Sequence, residues 1–198
     1  GTNGIDDADI DAPEAWAVST GSANVIVAVI DTGVAYNHPD LAGNMWDGSN
    51  CKNENNDSLN DCIHGYDYED GDKDPSPSTS IHGTHVAGTI AAAKDNEKGI
   101  IGVAPNTKIM AIKTMLSTTE IVKAISFAQH NGAKVINASW VGTVDDAVLK
   151  SAINGFDGLF IAAAGNCGDA STYLQNNCTS QNQTLYPASF DLPNIVSV

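Results

Sequence analysis

The stretch Val25-Ile26-Val27-Ala28-Val29-Ile30-Asp31-Thr32-Gly33 decides the fold. Six apolar residues follow one another without alternation and stop at a carboxylate and a glycine turn. A strand with one wet face alternates. An uninterrupted apolar run belongs to a strand covered on both faces, the habit of parallel sheets. The same pattern recurs at Leu159-Phe160-Ile161-Ala162-Ala163-Ala164-Gly165-Asn166, and Lys108–Ile112, Lys134–Ala138 and Ile195–Val198 read as further strands. Between them the period becomes helical. His82–Ala93 is small on one face. Ile121, Val122, Ile125 and Ala128 share a face in a segment capped by Thr118 or Thr119, running through Gln129 and stopped by Asn131-Gly132. Asp145 is placed to cap a helix that ends at Asn154-Gly155. Strands alternating with helices predict an α/β domain with a doubly wound, mostly parallel sheet and helices on both faces. Such sheets build their sites at the carboxyl ends of strands. Asp31, Ser139 and Asn166 fall at those ends.

A length of 198 residues suits one domain, taken here as residues 1–198. No apolar run is long enough to span a bilayer, so no membrane association is expected. The first residues, Gly1-Thr2-Asn3-Gly4, lack the basic and apolar regions of a signal peptide, as a trimmed secreted product also would. The net charge is −15, and all nine basic residues are lysines. That surface repels phosphate backbones and excludes nucleic acid as an expected partner. Carboxylates in loops suit calcium instead. Four cysteines, Cys51, Cys62, Cys167 and Cys178, form two closely spaced pairs inside Asn-rich loops. Of the three possible pairings, the local one, Cys51–Cys62 with Cys167–Cys178, is favoured, which implies an oxidising compartment.

Asp31, His82 and Asn166 supply an acid, a base and an amide donor, the parts of acyl-transfer chemistry. His82 opens His82-Gly83-Thr84-His85-Val86-Ala87-Gly88-Thr89. Asp31-Thr32-Gly33 also fits an aspartic-protease signature, but that fold is all-β and needs a second such motif. His82 and His85 at i, i+3 could face a metal, yet no third ligand follows, so zinc is not expected. A phosphate-binding glycine loop of nucleotide-binding proteins is not found. Asn-x-Ser/Thr occurs at Asn56, Asn137, Asn177 and Asn182, a weak signal in so Asn-rich a chain.

Residues 25–34 with His38-Pro39-Asp40-Leu41 resemble the aspartate motif of the subtilisin-like serine proteases, the subtilases. Residues 82–89 resemble that family's histidine motif. Gly99-Ile100-Ile101-Gly102-Val103-Ala104-Pro105 and Ala162-Ala163-Ala164-Gly165-Asn166 resemble two further family segments, in the right order. The resemblance runs from about Ile10 to the end of the chain. It implies that Asp31 orients the imidazole of His82, that His82 is the general base and then acid, and that Asn166 donates to the oxyanion. It implies a peptide or protein substrate. Ser139, Trp140, Val141 and Gly142 form the strand that pairs with it, and Ala163, Ala164 and Gly165 the opposite wall of the first specificity pocket. Val141 stands where the family usually has glycine, which narrows the pocket mouth. The segment 113–119 lacks the family's glycine-rich stretch, which puts a second peptide-binding edge in doubt. Secretion, a pro-segment and a monomeric state are also expected.

Calcium is the expected cofactor. Asp67, Asp70, Asp72 and Asp74 alternate in a Gly-containing loop and could converge on one hard cation. Asp40 with Asn96 and neighbouring carbonyls resembles a second family site. No serine has the family's Gly-Thr-Ser helix-opening context. The expectation is therefore a subtilase catalytic domain incomplete at its C-terminal end, part of a longer endopeptidase and inactive alone. The alternative is a pseudoprotease, or a calcium-stabilised binding module on the same fold.

Overall fold

The computed structural model describes residues 9–166 and 184–198. Its strands are β1 (Ile26–Asp31), β2 (Gly65–Asp67), β3 (Lys108–Lys113), β4 (Val135–Ala138), β5 (Leu159–Ala162) and β6 (Ile195–Ser197). Its helices are α1 (Ala12–Val18), α2 (His82–Ala91), α3 (Thr118–His130) and α4 (Ala147–Asn154). The strands form one sheet in the order β2-β3-β1-β4-β5-β6, and every neighbouring pair is parallel. The apolar run read from the sequence is the centre of this sheet. β1 pairs along its whole length with β3, from Ile26 opposite Lys108 to Asp31 opposite Lys113.

Two cores lie on the two faces, as a doubly wound sheet requires. On one, α3 and α4 pack over Met110, Ile112, Ile136 and Phe160, with Phe127 of α3 fully buried against Trp46, Tyr66 and Tyr68. On the other, Ala87 and Ala91 of α2 lie against Val27, Val29, Ile109 and Ala111. Small residues on α2 let the helix approach the sheet closely and so fix where its first residue, His82, stands. This second face is covered over β1 and β3. Over β5 and β6 it leaves Leu159 and Val196 at 48% and 43% exposure.

The helix caps differ from the sequence expectation by one or two residues. Ser117 caps α3, its Oγ accepting from the Glu120 N–H at 3.3 Å. Asp146 rather than Asp145 caps α4, accepting from the N–H groups of Val148 and Leu149. In each case the cap is the residue whose backbone is extended just before the first helical turn, which is what lets its side-chain oxygen reach back. The periodicity shows neither α1 nor β2. Three-residue β2 sits inside a polar stretch and is recruited by its neighbour β3.

Cys51 and Cys62 are bonded, with 5.8 Å between their Cα atoms. Asn131 ties this loop to the end of α3, accepting from the Lys52 N–H at 2.9 Å and donating to the Lys52 carbonyl at 2.8 Å. The expected pair Cys167 and Cys178 lies outside the described residues. Replacing Cys51 and Cys62 together by alanine is expected to lower stability by about 2–4 kcal/mol. The check is a lower urea midpoint under non-reducing conditions.

Candidate active site

Asp31 ends β1 and is 3% exposed. A carboxylate that dry must be fully hydrogen-bonded. Its Oδ1 accepts from the Thr32 N–H at 2.7 Å, and its two oxygens lie 2.8 and 2.9 Å from His82 Nδ1. A carboxylate can only accept here, so Nδ1 carries the proton and Nε2 is left as the basic nitrogen. The imidazole side chain is 53% exposed, and among the described residues its ring bonds to Asp31 alone. Nε2 therefore opens to solvent while Nδ1 is fixed from behind.

Short contacts hold the two elements together. Thr32 Oγ1 donates to the Ser80 carbonyl at 3.2 Å and accepts from the Gly83 N–H at 3.2 Å. Thr84 Oγ1 accepts from the Ala35 N–H at 2.9 Å. A Cβ at position 83 would collide with the Gly33 carbonyl and come to 3.0 Å from the Asp31 Cβ, so only glycine allows α2 this close to β1. Sequence reading singled out Asp31 and His82 but not the roles of Thr32, Ser80 and Thr84. The signal was the chemistry of the same motifs: hydroxyls next to a strand end and a helix start.

Asn166 lies in the bend four residues beyond β5 and is exposed. Ala163 N–H bonds to the Ala138 carbonyl at 3.1 Å, and Ala164 N–H to the Val198 carbonyl at 2.7 Å, so the approach to Gly165 and Asn166 is anchored to β4 and to the end of β6.

On the other side, the Trp140 indole N–H donates to the Ile30 carbonyl at 3.0 Å, and Asn137 donates to Ser139 Oγ at 2.8 Å. Among the described residues, the backbone N–H and C=O groups of Ser139, Trp140 and Val141 make no hydrogen bond. Gly142 differs from expectation. It forms an antiparallel bridge with Tyr186, donating at 2.8 Å and accepting at 2.9 Å, so its backbone is not open to a peptide. The segment after β3 is similarly self-satisfied. Met115 N–H bonds to Glu120 Oε2 at 2.7 Å and Leu116 N–H to Thr114 Oγ1 at 3.2 Å. Beside the open edge is a cavity of about 140 Å³ lined by Leu116, Ile121, Trp140, Val141, Leu149 and Tyr186, which sequence reading did not foresee. These residues come from four separate segments, and their convergence has no local signal.

The acidic residues sort into three arrangements. Asp40 is buried. Its oxygens accept from Asn96 Nδ2 at 2.7 Å and from the Ile100 N–H at 2.9 Å, and no cationic side chain pairs with it among the described residues. Asp67 and Asp70 come together as expected, joined by Glu69 and by Lys113 Nζ. Asp72 and Asp74 do not join them. Gly71, at φ 75°, turns the chain, and Asp72 Oδ1 accepts from the Asp74 N–H at 2.8 Å. Asp74 Oδ1 accepts from the Ser76 N–H at 3.1 Å and from the Tyr36 hydroxyl at 3.0 Å.

Residues 22–198 match the model of the subtilase family. The chain is 39% identical over 167 residues to a thermophilic serine proteinase of Bacillus sp. (strain AK1), covering 80% of this chain and 37% of that protein. It is 37% identical over 168 residues to thermitase of Thermoactinomyces vulgaris, covering 81% of this chain and 53% of that protein. The solved structure of a protease from Pseudoalteromonas arctica PAMC 21717 superposes with a TM-score of 0.70 at 27% identity, over 94% of this chain and 58% of that one. The chain thus spans about half the length of the curated relatives it matches.

Next to the cavity, the Thr118 hydroxyl donates to Asp146 Oδ2 at 2.6 Å. That bond, with those from the Leu149 and Val148 N–H groups, holds the Asp146 carboxyl below the usual range. With the folded pKa depressed, the cap's contribution is present above the unfolded value near about pH 4 and is lost as pH falls through the lower folded value. Protection of the amides in the first turn of α4, taken relative to the intrinsic exchange rate at each pH, is expected to fall over that acid range. Asp146→Asn, which still caps, should remove the pH dependence.

Proposed function

Because the chain belongs to the subtilase family, we propose that it supplies the acid, the base and one oxyanion donor of a serine endopeptidase. The attacking serine comes from the part of the protein outside these residues. The observation that carries this reading is the dry Asp31 carboxylate bonded to Nδ1 of a half-exposed His82. In that arrangement Nε2 takes the proton of a hydroxyl as it attacks a peptide carbonyl. Asp31 stabilises the imidazolium that forms, and the proton then passes to the leaving amine. The Asn166 side-chain amide donates to the developing oxyanion, for which a neutral donor is suited because it does not compete for the proton.

The substrate is an extended peptide. The backbone of Ser139, Trp140 and Val141, unpaired among the described residues, supports this, since it offers one strand edge for β-augmentation. The cavity lined by Trp140 and Leu149 would take an apolar side chain of that peptide. Leu159 and Val196, exposed on a parallel sheet, support packing of the rest of the domain over β5 and β6.

Calcium is the cofactor proposed at the Asp40 loop. Among the described residues the buried Asp40 carboxylate meets only the neutral N–H groups of Asn96 and Ile100, so its charge is left uncancelled, which supports a hard cation bound from the open side with Asn96 turning its side-chain oxygen to it. Asp40 and Asn96 would hold it, and it would supply charge neutralisation and loop rigidity rather than chemistry. The bonded pair Cys51–Cys62 supports an oxidising, extracellular location. No helix of the described residues is long and apolar enough to cross a membrane.

Hydrolysis of a peptide p-nitroanilide tests the reading. The whole protein should be inactivated by phenylmethylsulfonyl fluoride, and the 198-residue chain alone should show no turnover. His82→Ala in the whole protein should cost roughly 10⁶ in kcat, a magnitude established for a member of this family. Asn166→Ala should cost about 10²–10³, a magnitude established for a member of this family. Inhibitor-sensitive turnover by the chain alone would overturn the proposed division of groups. A whole protein that folds but cleaves nothing would favour a binding module. Calcium should raise the melting temperature, and Asp40→Asn should abolish that increase.

A further inference from the structure

Lys113 ends β3 with its backbone opposite Asp31 and its side chain 3% exposed. Its Nζ lies 2.8 Å from Asp67 Oδ2, 3.1 Å from Glu69 Oε2 and 3.1 Å from Asp70 Oδ2. These three carboxylates have oxygens within 4.8 Å of one another, a spacing that by itself would suit a divalent cation. An ammonium stands among them instead, and each of its three donors has one carboxylate to meet. The other oxygen of Asp67 accepts from the Glu69 N–H at 2.7 Å and the Asp70 N–H at 3.1 Å, so the turn is closed around the same residue.

Each half of this group removes the other's difficulty. Burial pulls the ammonium toward its neutral form, but the bonds to Asp67, Glu69 and Asp70 more than offset that and hold its pKa above the ordinary value. Three carboxylates this close would repel one another without a cation between them. The contrast with Asp40 is direct. Asp40 is equally buried but meets only neutral donors, whereas Asp67 already has its counter-charge.

We propose that Lys113 is the resident cation of the turn 67–70, holding the position that a calcium ion would otherwise take, so that this turn does not depend on metal. The consequence reaches the catalytic pair. Tyr68 N–H bonds to the Lys113 carbonyl at 2.9 Å, Asp67 and Asp72 bridge, and the Pro75 carbonyl accepts from the Val34 N–H at 2.9 Å. The turn therefore anchors the segment that runs from β2 to His82 and lies along the loop that follows Asp31. The inference stands independently of the serine-protease reading, because it concerns a cation and not the reaction.

The test uses terbium(III), a calcium mimic whose emission is sensitised by nearby tyrosines. Tyr66 precedes this turn and Tyr68 is part of it, with their ring centroids 4.8 Å apart. Terbium emission from the unaltered chain and from Asp70→Asn should be the same. Emission that Asp70→Asn removes would overturn the proposal. In Lys113→Met the freed carboxylates should bind terbium at least about tenfold more tightly than in the unaltered chain, since ligand charge sets affinity. Amide exchange at Val34 and Glu69 should quicken in that variant without calcium and slow again when calcium is added. A folded Lys113→Met chain with neither change would also overturn the proposal. If that variant fails to fold, the comparison of the unaltered chain with Asp70→Asn decides.

Discussion

The structure is organised around a carboxylate, Asp31, held out of water at the end of the central strand. Such a group destabilises a fold unless every lone pair is answered. Here the answers come from two directions, the Thr32 backbone N–H and the His82 ring, and the ring is in reach because Gly83 lets the start of α2 press close. The demand for close approach explains the small residues on α2, because Ala87 and Ala91 are what let the helix lie down on β1 and β3. The same demand explains why Thr32 and Thr84 cross-link the two elements by hydroxyl bonds. A residue that would serve chemistry thereby also fixes the packing of one face of the sheet.

Among the described residues two further carboxylates are buried, and they are treated differently. Asp67 is neutralised by an ammonium that arrives on β3, a permanent partner delivered by folding. Asp40 is met by an amide side chain and a backbone N–H, which orient the charge without cancelling it. A charge that is oriented but not cancelled makes the local fold responsive to cations in solution, and one cancelled from within does not. On the assignments proposed above, the loop at Asp40 would couple to cations in solution and the turn 67–70 would not. That difference lies in the position of one lysine, not in the count of carboxylates.

This is also where sequence reading reached its limit. The buried strand, the catalytic-type pair and the parallel sheet were legible because each is written locally, in an apolar run or a motif of a few residues. The acidic loop misled because alternating carboxylates suggest convergence, while the turn at Gly71 sends Asp72 and Asp74 to backbone N–H groups and to Tyr36. Lys113 carried no signal, since its partners lie more than 40 residues earlier and meet it only after β2 joins β3. The caps of α3 and α4 missed by one or two residues for a milder reason. Ser117, Thr118 and Thr119 are all competent caps, as are Asp145 and Asp146, and the choice is made by which backbone is extended.

The open backbone at Ser139, Trp140 and Val141 bears on how a peptide would be held. A peptide lying between two edges gains backbone hydrogen bonds on both sides and depends less on its side chains. Here the segment after β3 has its Met115 and Leu116 N–H groups engaged by Glu120 and Thr114, and Gly142 is engaged by Tyr186. Among the described residues the edge that remains is short and one-sided. If a peptide binds there as proposed, few backbone bonds would leave selectivity to the side-chain cavity walled by Trp140, Leu149 and Tyr186, where an apolar side chain would be buried. Trp140 belongs to both parts, since its backbone lies on the edge, its ring lines the cavity, and its indole N–H is tied to the Ile30 carbonyl just before Asp31. One wall of the cavity is thereby hydrogen-bonded to the strand that carries the acid.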